Sequence, residues 1–351
     1  VNVFLRLAAG KDIKDIEATL GKAQAILLPQ QEWKNQRKWI ASVAYDQLTT
    51  LAADPTLLTI EPKFEDRSLN NGAIAVADAE QVRSTTGFNL TGEGVTVGVG
   101  DDSQPFHVDY NDRVTNFNPA INTFHGLHTT GTVAGGGIID ELYQGFAPKA
   151  SIVENVFSQI ITQAPRYEQD FNMKVTNNSY AAIVGNCGYS GTYDAASQYL
   201  DQLALNNPQL LNIFAAGNDG PLTCGAYPQS YATVGGSYQS AKNTLVVANT
   251  GKNGDILSAG SSRGPAKDGR MKPEITATGV QITSTVFNNA YGVSTGTSMA
   301  CPNVTGAAAL LQQRYKQLNG GQYPSSDLLK AILMNSAADL GIPGPDFRYG
   351  F

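Results

Sequence analysis

The sequence predicts an α/β fold with a doubly wound, mainly parallel sheet and helices on both of its faces, preceded by a small α+β domain. From Gly94 onward, short apolar strands alternate with helical stretches, which is typical of a parallel sheet buried on both faces. Glycine is abundant, at 36 of 351 residues, and only 15% of the residues are charged, which suits a large, loop-rich, buried sheet. Before that point the predicted elements follow the order β-α-β-β-α-β, a ferredoxin-like pattern.

Residues 1–68 form the first predicted domain and its linker. Alternating or short apolar runs predict its strands, and apolar residues at helical spacing predict its two helices. Gly21 is expected to end the first helix, and Pro62 follows the last strand. The strands are predicted at residues 3–7, 25–28, 39–43 and 57–60, and the helices at residues 11–20 and 45–53.

Residues 69–351 form the second predicted domain. Up to residue 92 the chain is polar and turn-rich, with one short helix near residues 77–83. Because sheets of this kind place their sites at the carboxyl ends of the strands, we expect functional residues there. Strands are predicted at residues 95–100, 150–153, 211–215 and 245–248, and helices include residues 193–205 and 325–337.

Charge and hydropathy argue against two kinds of partner. The formal net charge is −6 and no run of Lys and Arg forms a basic patch, so the chain is not expected to bind nucleic acid. No uninterrupted apolar stretch is long enough to cross a membrane, so no membrane partner is expected.

The cysteines predict one disulfide and no metal site. Cys187 and Cys224 lie in Gly-, Asn- and Pro-rich loop sequence, whereas Cys301 lies in a predicted buried helix. A Cys187–Cys224 bond would imply an oxidising, extracellular setting. The alternative is three free thiols in a cytosolic protein. No Cys-x-x-Cys spacing indicates zinc.

The most informative stretch is Gly296-Thr297-Ser298-Met299-Ala300-Cys301-Pro302, which places a serine at the start of a small, apolar helix. Pro302 is expected inside the first helical turn, where its missing N–H costs nothing. A hydroxyl at the positive end of a buried helix is well placed for a nucleophile. The alternative is an N-cap serine that only closes the helix.

A serine nucleophile needs a base and a group that orients the base. His125 opens a stretch of small residues that is expected to form a helix, and Asp101 ends the first long strand of the second domain. A carboxylate at a strand end can accept a hydrogen bond from an imidazole N–H and fix its tautomer. Asp102 is the alternative acid, and the other interpretation of the two aspartates is a turn.

The order Asp, His, Ser is the order of subtilisin, and three segments together resemble the subtilisin-like serine proteases, or subtilases. The resemblance covers about residues 93–351 and implies an extracellular serine endopeptidase. It implies that Ser298 attacks the peptide carbonyl, His125 transfers the proton and Asp101 orients His125. The segments are Val97-Gly98-Val99-Gly100-Asp101 with His107-Val108-Asp109, His125-Gly126-Leu127-His128, and Gly296-Thr297-Ser298-Met299-Ala300 followed by Pro302.

The resemblance implies further site residues. The side-chain amide of Asn218 would donate to the oxyanion beside the backbone N–H of Ser298, although Gly-Asn-Asp-Gly is turn sequence in its own right. Two segments would bind the substrate: Ser179, Tyr180 and Ala181, which resemble a family strand that pairs with the substrate backbone, and Ala215, Ala216 and Gly217, which resemble the other wall of the primary pocket.

Partners and cofactors follow from the same resemblance. It implies polypeptide substrates and no cofactor for catalysis. Structural calcium is common in the family, but no Asp-rich ligand loop stands out here. Residues 1–68 resemble the subtilase propeptide, whose tail lies in the active-site cleft, with processing near residues 63–68; the alternative is a permanent accessory domain. The chain ends within what resembles a Gly-Tyr-Gly family turn, so we expect the native sequence to continue.

The chain departs from the family pattern without losing a catalytic group. Asp102 adds a negative charge that is expected to raise the pKa of His125. One alternative function is a dormant zymogen or a non-catalytic peptide-binding module on the same scaffold. Another is a cysteine hydrolase using Cys301, whose position in an apolar helix predicts an inert thiol. The other departures are Ser103, Leu127, Thr129, Thr130 and Ala181.

Overall fold

The computed structural model describes residues 2–28, 38–62, 71–77, 79–84, 87–102, 105–110, 112–119 and 123–351. The chain divides into two compact units, Val1–Arg67 and Ser68–Phe351. Among the described helices, none combines the length and the apolar character that crossing a membrane requires.

The first unit contains an antiparallel four-stranded sheet with strand order β2-β3-β1-β4, as the ferredoxin-like pattern predicts. One detail of the prediction is wrong: Gly21 lies inside the first α-helix, and Gln24 takes the left-handed conformation just beyond the helix end. Its elements are β1 (Asn2–Leu7), α1 (Glu17–Lys22), β2 (Ile26–Leu27), β3 (Lys38–Ser42), α2 (Leu48–Ala52) and β4 (Leu57–Pro62).

The second unit is built on a seven-stranded sheet with strand order β11-β10-β9-β8-β5-β7-β6, in which every neighbouring pair is parallel. Its elements are α3 (Asn71–Val76), α4 (Ala79–Arg83), β5 (Thr96–Asp101), β6 (Val114–Asn116), α5 (His125–Ala134), β7 (Ser151–Val156), α6 (Gln159–Thr162), α7 (Ala164–Phe171), β8 (Met173–Asn178), α8 (Ala195–Asn206), β9 (Leu211–Ala215), β10 (Leu245–Thr250), β11 (Ile275–Thr278), β12 (Ile282–Val286), β13 (Ala290–Ser294), α9 (Thr297–Leu318) and α10 (Ser326–Asn335).

Helices cover both faces of this sheet, and each face has its own apolar core. On one face, Val97 and Val99 of β5 pack with residues of α9 such as Ala308. On the other face, Ile160 of α6 and Leu200 of α8 pack with residues of the central strands. The predicted doubly wound α/β architecture is therefore confirmed.

The central strand β8 was not predicted, because four of its six residues are polar. Three of these side chains, those of Thr176, Asn177 and Asn178, are nevertheless buried and paired. Thr176 donates to Asn212 on β9 at 2.7 Å, and the amide of Asn178 donates to Thr176 and to the Ile213 carbonyl. Because the hydrogen bonds offset the cost of burying polar groups, a polar sequence can occupy the middle of the sheet.

A glycine sets how closely α5 approaches the hairpin formed by β12 and β13. A Cβ atom at Gly131 would lie 2.0 Å from the hydroxyl oxygen of Thr285 on β12. The small side-chain volume of α5 therefore lets this helix lie directly against the hairpin, which fixes the position of the helix that begins at His125.

Candidate active site

Three elements of the second unit carry the predicted acid, base and nucleophile. Asp101 is the last residue of β5, His125 is the first residue of α5, and Ser298 is the second residue of α9. Helix α5 packs against both β5 and α9. The acid thus lies at the carboxyl end of a central parallel strand, where sites of such sheets form.

Asp101 and His125 form a short hydrogen bond. The distance from His125 Nδ1 to Asp101 Oδ1 is 2.8 Å, with the carboxylate 1% exposed and the imidazole 35% exposed. Asp102, the alternative acid, instead accepts a hydrogen bond from Thr123 and donates its backbone N–H to Asp101 Oδ1. In the structure, therefore, Asp101 and not Asp102 forms the hydrogen bond with the imidazole of His125.

The environment of His125 raises its pKa. Burial lowers the pKa, but the hydrogen bond and the charge of Asp101, together with the charge of Asp102, outweigh burial. A raised pKa means that the imidazolium form is stabilised, as a base that must hold a proton during a reaction requires.

Ser298 and Ser179 exchange two hydrogen bonds. Pro302 is the sixth residue of α9, not a residue of the first turn as predicted, and its missing N–H leaves the Ser298 carbonyl without its usual helical partner. Ser179 Oγ donates to that carbonyl at 3.0 Å, and Ser298 Oγ donates to the Ser179 carbonyl at 3.1 Å. Among the described residues, the partner of the Ser298 hydroxyl is therefore Ser179 and not His125.

Asn218 lies on the loop after β9 and is held by Thr297. The backbone N–H and the hydroxyl of Thr297 both donate to Asn218 Oδ1, at 3.0 and 3.1 Å. A backbone N–H can only donate, so the oxygen of the amide must face Thr297. The Nδ2 group, which has no partner among the described residues, is left available to a ligand.

The two predicted substrate segments lie at the ends of the neighbouring strands β8 and β9. Ser179, Tyr180 and Ala181 follow β8 and belong to no strand of this structure, so only the resemblance suggests that they pair with a substrate. The other segment leaves the sheet at the end of β9, with Ala215 as its last residue, Ala216 buried and Gly217 at a positive φ of 109°.

The other two histidines have structural contacts. His128 is fully buried with Nε2 between the carbonyls of Ile282 and Gly292, and burial lowers its pKa to about 4. It is therefore neutral at ordinary pH and ties α5 to the hairpin. His107 contacts the Ala290 carbonyl at 3.2 Å. Neither forms a hydrogen bond with Asp101.

A family model described as "Subtilase family" matches residues 70–351. The chain belongs to the subtilase family. The match begins close to the boundary between the two compact units and runs to the end of the chain.

Relatives and solved structures agree with this assignment. The chain is 35% identical to a C5a peptidase of Streptococcus pyogenes over 177 residues, which are 50% of this chain but only 14% of that protein. It is 28% identical to a thermostable alkaline protease of Halalkalibacterium halodurans over 323 residues, covering 86% of this chain and 78% of that protein. The CspB protease of Clostridium perfringens shares the fold, with a TM-score of 0.67 at 17% identity, covering 79% of this chain and 94% of that one.

The cysteines of this subtilase have the predicted arrangement. Cys187 and Cys224 form a disulfide that joins the loops following β8 and β9, the same two loops that carry the candidate substrate segments. Cys301 is a buried free thiol, and burial raises its pKa to about 12. A thiol of that kind is a poor nucleophile, which disfavours the cysteine-hydrolase alternative.

Among the described residues, one group of side chains is close enough together to be considered as metal ligands. It consists of Asp101, Asp102 and His125, with one ligand atom of each within 4.8 Å of the others. A metal ion would have to displace the proton between Asp101 and His125. Calcium prefers oxygen ligands over imidazole, so these residues do not fit a structural calcium ion.

Two contributors were missed by sequence reasoning. Thr297 orients Asn218, and its place directly before Ser298 was an available signal. Gln239 is fully buried, and its Nε2 donates to the carbonyls of Tyr180 at 2.8 Å and Ala215 at 3.1 Å, so it links the two candidate substrate segments. No sequence pattern marks Gln239, because its role depends on two segments that are distant from it and from each other along the chain.

Behind the site lies Glu154, a fully buried carboxyl on β7. Thr130 Oγ1 donates to its Oε2 at 3.2 Å. Burial, followed by the negative charge of Asp101, raises the pKa of Glu154 well above its usual value. A carboxyl whose pKa is raised on folding binds its proton more tightly in the folded state, so its contribution to stability is lost as the pH rises above the unfolded pKa.

We therefore predict that Glu154→Gln stabilises the protein increasingly as the pH rises. The neutral amide mimics the protonated carboxyl, so the Tm of the variant should match that of the unsubstituted protein near pH 4 and exceed it by a growing margin toward pH 8. Differential scanning calorimetry across this range measures the margin. Glu93→Gln, which alters an exposed carboxylate, is the control and should show no such trend. A constant margin, or a less stable Glu154→Gln at pH 8, would contradict the prediction.

Proposed function

We propose that this subtilase is a serine endopeptidase that hydrolyses peptide bonds through an acyl-enzyme. The observation that carries the proposal is the 2.8 Å hydrogen bond between Asp101 and His125, together with the packing of α5, which begins at His125, against α9, in which Ser298 is the second residue. An imidazole oriented by an aspartate and a serine nucleophile are the groups that acyl transfer by a triad requires.

Each proposed role has a local physical basis. Ser298 Oγ attacks the peptide carbonyl and gives its proton to Nε2 of His125, while Asp101 stabilises the imidazolium that forms. Nδ2 of Asn218 and the backbone N–H of Ser298, one of the unpaired N–H groups at the start of α9, donate to the oxyanion. His125 then protonates the departing amine, and a water molecule releases the acyl group by the reverse sequence of proton transfers.

The substrate class proposed is an extended polypeptide. Ser179, Tyr180 and Ala181 would lie along one side of the bound chain, and Ala215, Ala216 and Gly217 would form the other side. No charged side chain occurs among these six residues. We therefore expect an apolar or broad preference at the primary pocket.

We also propose that the protein is secreted and that its first unit acts as a propeptide. The Cys187–Cys224 disulfide supports an oxidising environment. The ferredoxin-like strand order supports the likeness of the first unit to a subtilase propeptide. Residues 63–68, the expected processing region, lie outside the described residues. No cofactor is assigned to the reaction, and structural calcium stays an untested expectation.

The proposal is tested by labelling with a fluorophosphonate, which reacts with an activated serine. The full chain is incubated, sampled over time and digested, and the modified peptide is mapped by mass spectrometry. We expect one adduct, on Ser298, and none in Ser298→Ala or in heat-denatured protein.

The time course separates the alternatives. If the first unit inhibits the second, the adduct should accumulate as the first unit is removed. An absence of adduct at every time, with the chain folded, would contradict the peptidase proposal and favour the non-catalytic alternative.

The charge of Asp102 leads to a pH prediction. His125 must be neutral to accept the serine proton, and its raised pKa places the acid limb of kcat/KM above the pH of about 6.5 expected for an unperturbed imidazole. Asp102→Asn removes one negative charge and should move that limb to lower pH, because the imidazolium is then less stabilised. The profile is measured with a fluorogenic peptide.

Asp170→Asn is the matched control, because it makes the same charge change at an exposed site paired with Arg166. It should leave the acid limb in place. An unchanged limb in Asp102→Asn, or equal shifts in both variants, would rule out the proposed charge effect.

A further inference from the structure

Thr129 lies directly behind the Asp101–His125 pair. It belongs to the second turn of α5 and is fully buried. Its Oγ1 is 3.0 Å from Asp101 Oδ2 and 3.1 Å from the carbonyl oxygen of Gly126. A hydroxyl carries one proton, so it can donate fully to only one of these two acceptors.

The Thr129 hydroxyl donates its proton to Asp101 and not to Gly126. A charged acceptor forms a stronger hydrogen bond than a neutral carbonyl does. If Thr129 instead donated to Gly126, a hydroxyl oxygen and a carboxylate oxygen would face each other at 3.0 Å with no proton between them. That arrangement is repulsive in a buried environment.

The two oxygens of Asp101 have different partners. Oδ1 accepts from His125 Nδ1 and from the backbone N–H of Asp102. Oδ2 accepts from Thr129 alone, within the part of the chain that the structure describes. The carboxylate is 1% exposed, so water contributes little to its stabilisation. The Thr129 hydroxyl therefore stabilises a buried charge and fixes the carboxylate plane in which Oδ1 faces the imidazole.

We propose that Thr129 is a positioning residue of this subtilase, acting through Asp101 to keep the carboxylate directed at His125. The inference rests on the proposed function, in which Asp101 stabilises the imidazolium during acyl transfer. Thr129 never touches the substrate in this account; its whole effect passes through one hydrogen bond to Oδ2.

The neighbouring residue provides a matched control. Thr130 is the next residue of the same helix and is also fully buried, but its hydroxyl donates to Glu154 and not to Asp101. Replacing each threonine with valine keeps the shape and removes only the hydroxyl. The titratable groups around Asp101 that both variants retain are Asp102, His125, His128, Glu154, Tyr180 and Cys301.

The test compares Thr129→Val, Thr129→Ser and Thr130→Val in steady-state hydrolysis of a fluorogenic peptide. We expect Thr129→Val to lower kcat on the order of 10-fold with little change in KM, because the lost hydrogen bond matters most when the imidazolium forms. We expect Thr129→Ser, which keeps the hydroxyl, to restore most of kcat. Thr130→Val makes the same substitution at the next residue and should keep kcat within about 2-fold of the unsubstituted protein.

The acid limb of kcat/KM gives a second readout that a loss of packing would not move. Without the hydrogen bond to Oδ2, the Asp101 carboxylate is free to turn away from Nδ1 and stabilises the imidazolium less, so the pKa of His125 should fall in Thr129→Val. The limb should therefore move to lower pH in Thr129→Val and stay in place in Thr130→Val. Unchanged kcat and limb in Thr129→Val, or equal losses in both valine variants, would overturn the inference.

A readout that needs no turnover separates this inference from the proposed function. The chain has three histidines, so the ring C–H proton of His125 can be assigned by NMR and titrated in each folded variant. A lower pKa of His125 in Thr129→Val alone supports the positioning role even if the enzyme proves inactive. Inactivity of the unsubstituted chain would count against the peptidase proposal, whereas identical His125 titrations in all variants would count against Thr129.

Discussion

The hydrogen bond between Asp101 and His125 is the constraint on which the arrangement of the catalytic unit depends. It joins the end of a central strand to the start of a helix, so β5 and α5 must keep a fixed position relative to each other. Gly131 lets α5 lie against the β12–β13 hairpin, and neutral His128 bonds the same helix to two carbonyls of that hairpin. The small side chains of α5 therefore help to fix the position of the His125 imidazole.

A second group of hydrogen bonds runs through the polar residues of β8 to the start of α9. Thr305 of α9 donates to Asn177, the amide of Asn177 donates to Ser179, and Ser179 donates to the Ser298 carbonyl that Pro302 leaves unpaired. Pro302 thus leaves the Ser298 carbonyl without a helical donor, and Ser179, the residue after β8, supplies one. This coupling explains why a central strand of the sheet carries asparagines where an apolar residue would pack as well.

Sequence reasoning predicted the doubly wound fold, the ferredoxin-like sheet of the first unit and the candidate residues Asp101, His125, Ser298 and Asn218, because strand alternation and compact motifs are local signals. It missed β8, since a hydrogen-bonded polar strand has no apolar run. It assigned no role to Gln239 or Thr129, since their partners are set by tertiary contacts between distant segments. Pro302 was misplaced within its helix because a sequence does not fix the first helical residue.

The central claim is that Asp101 holds a proton on Nδ1 of His125, and proton NMR in water observes that proton directly. We predict a strongly downfield Nδ1 proton resonance that is present in the folded protein and lost in Asp101→Asn. The resonance should titrate with a pKa above the usual value of 6.5 for histidine, since the charges of Asp101 and Asp102 outweigh burial. A folded protein that lacks this resonance, or a His125 pKa at or below 6.5, would contradict the account.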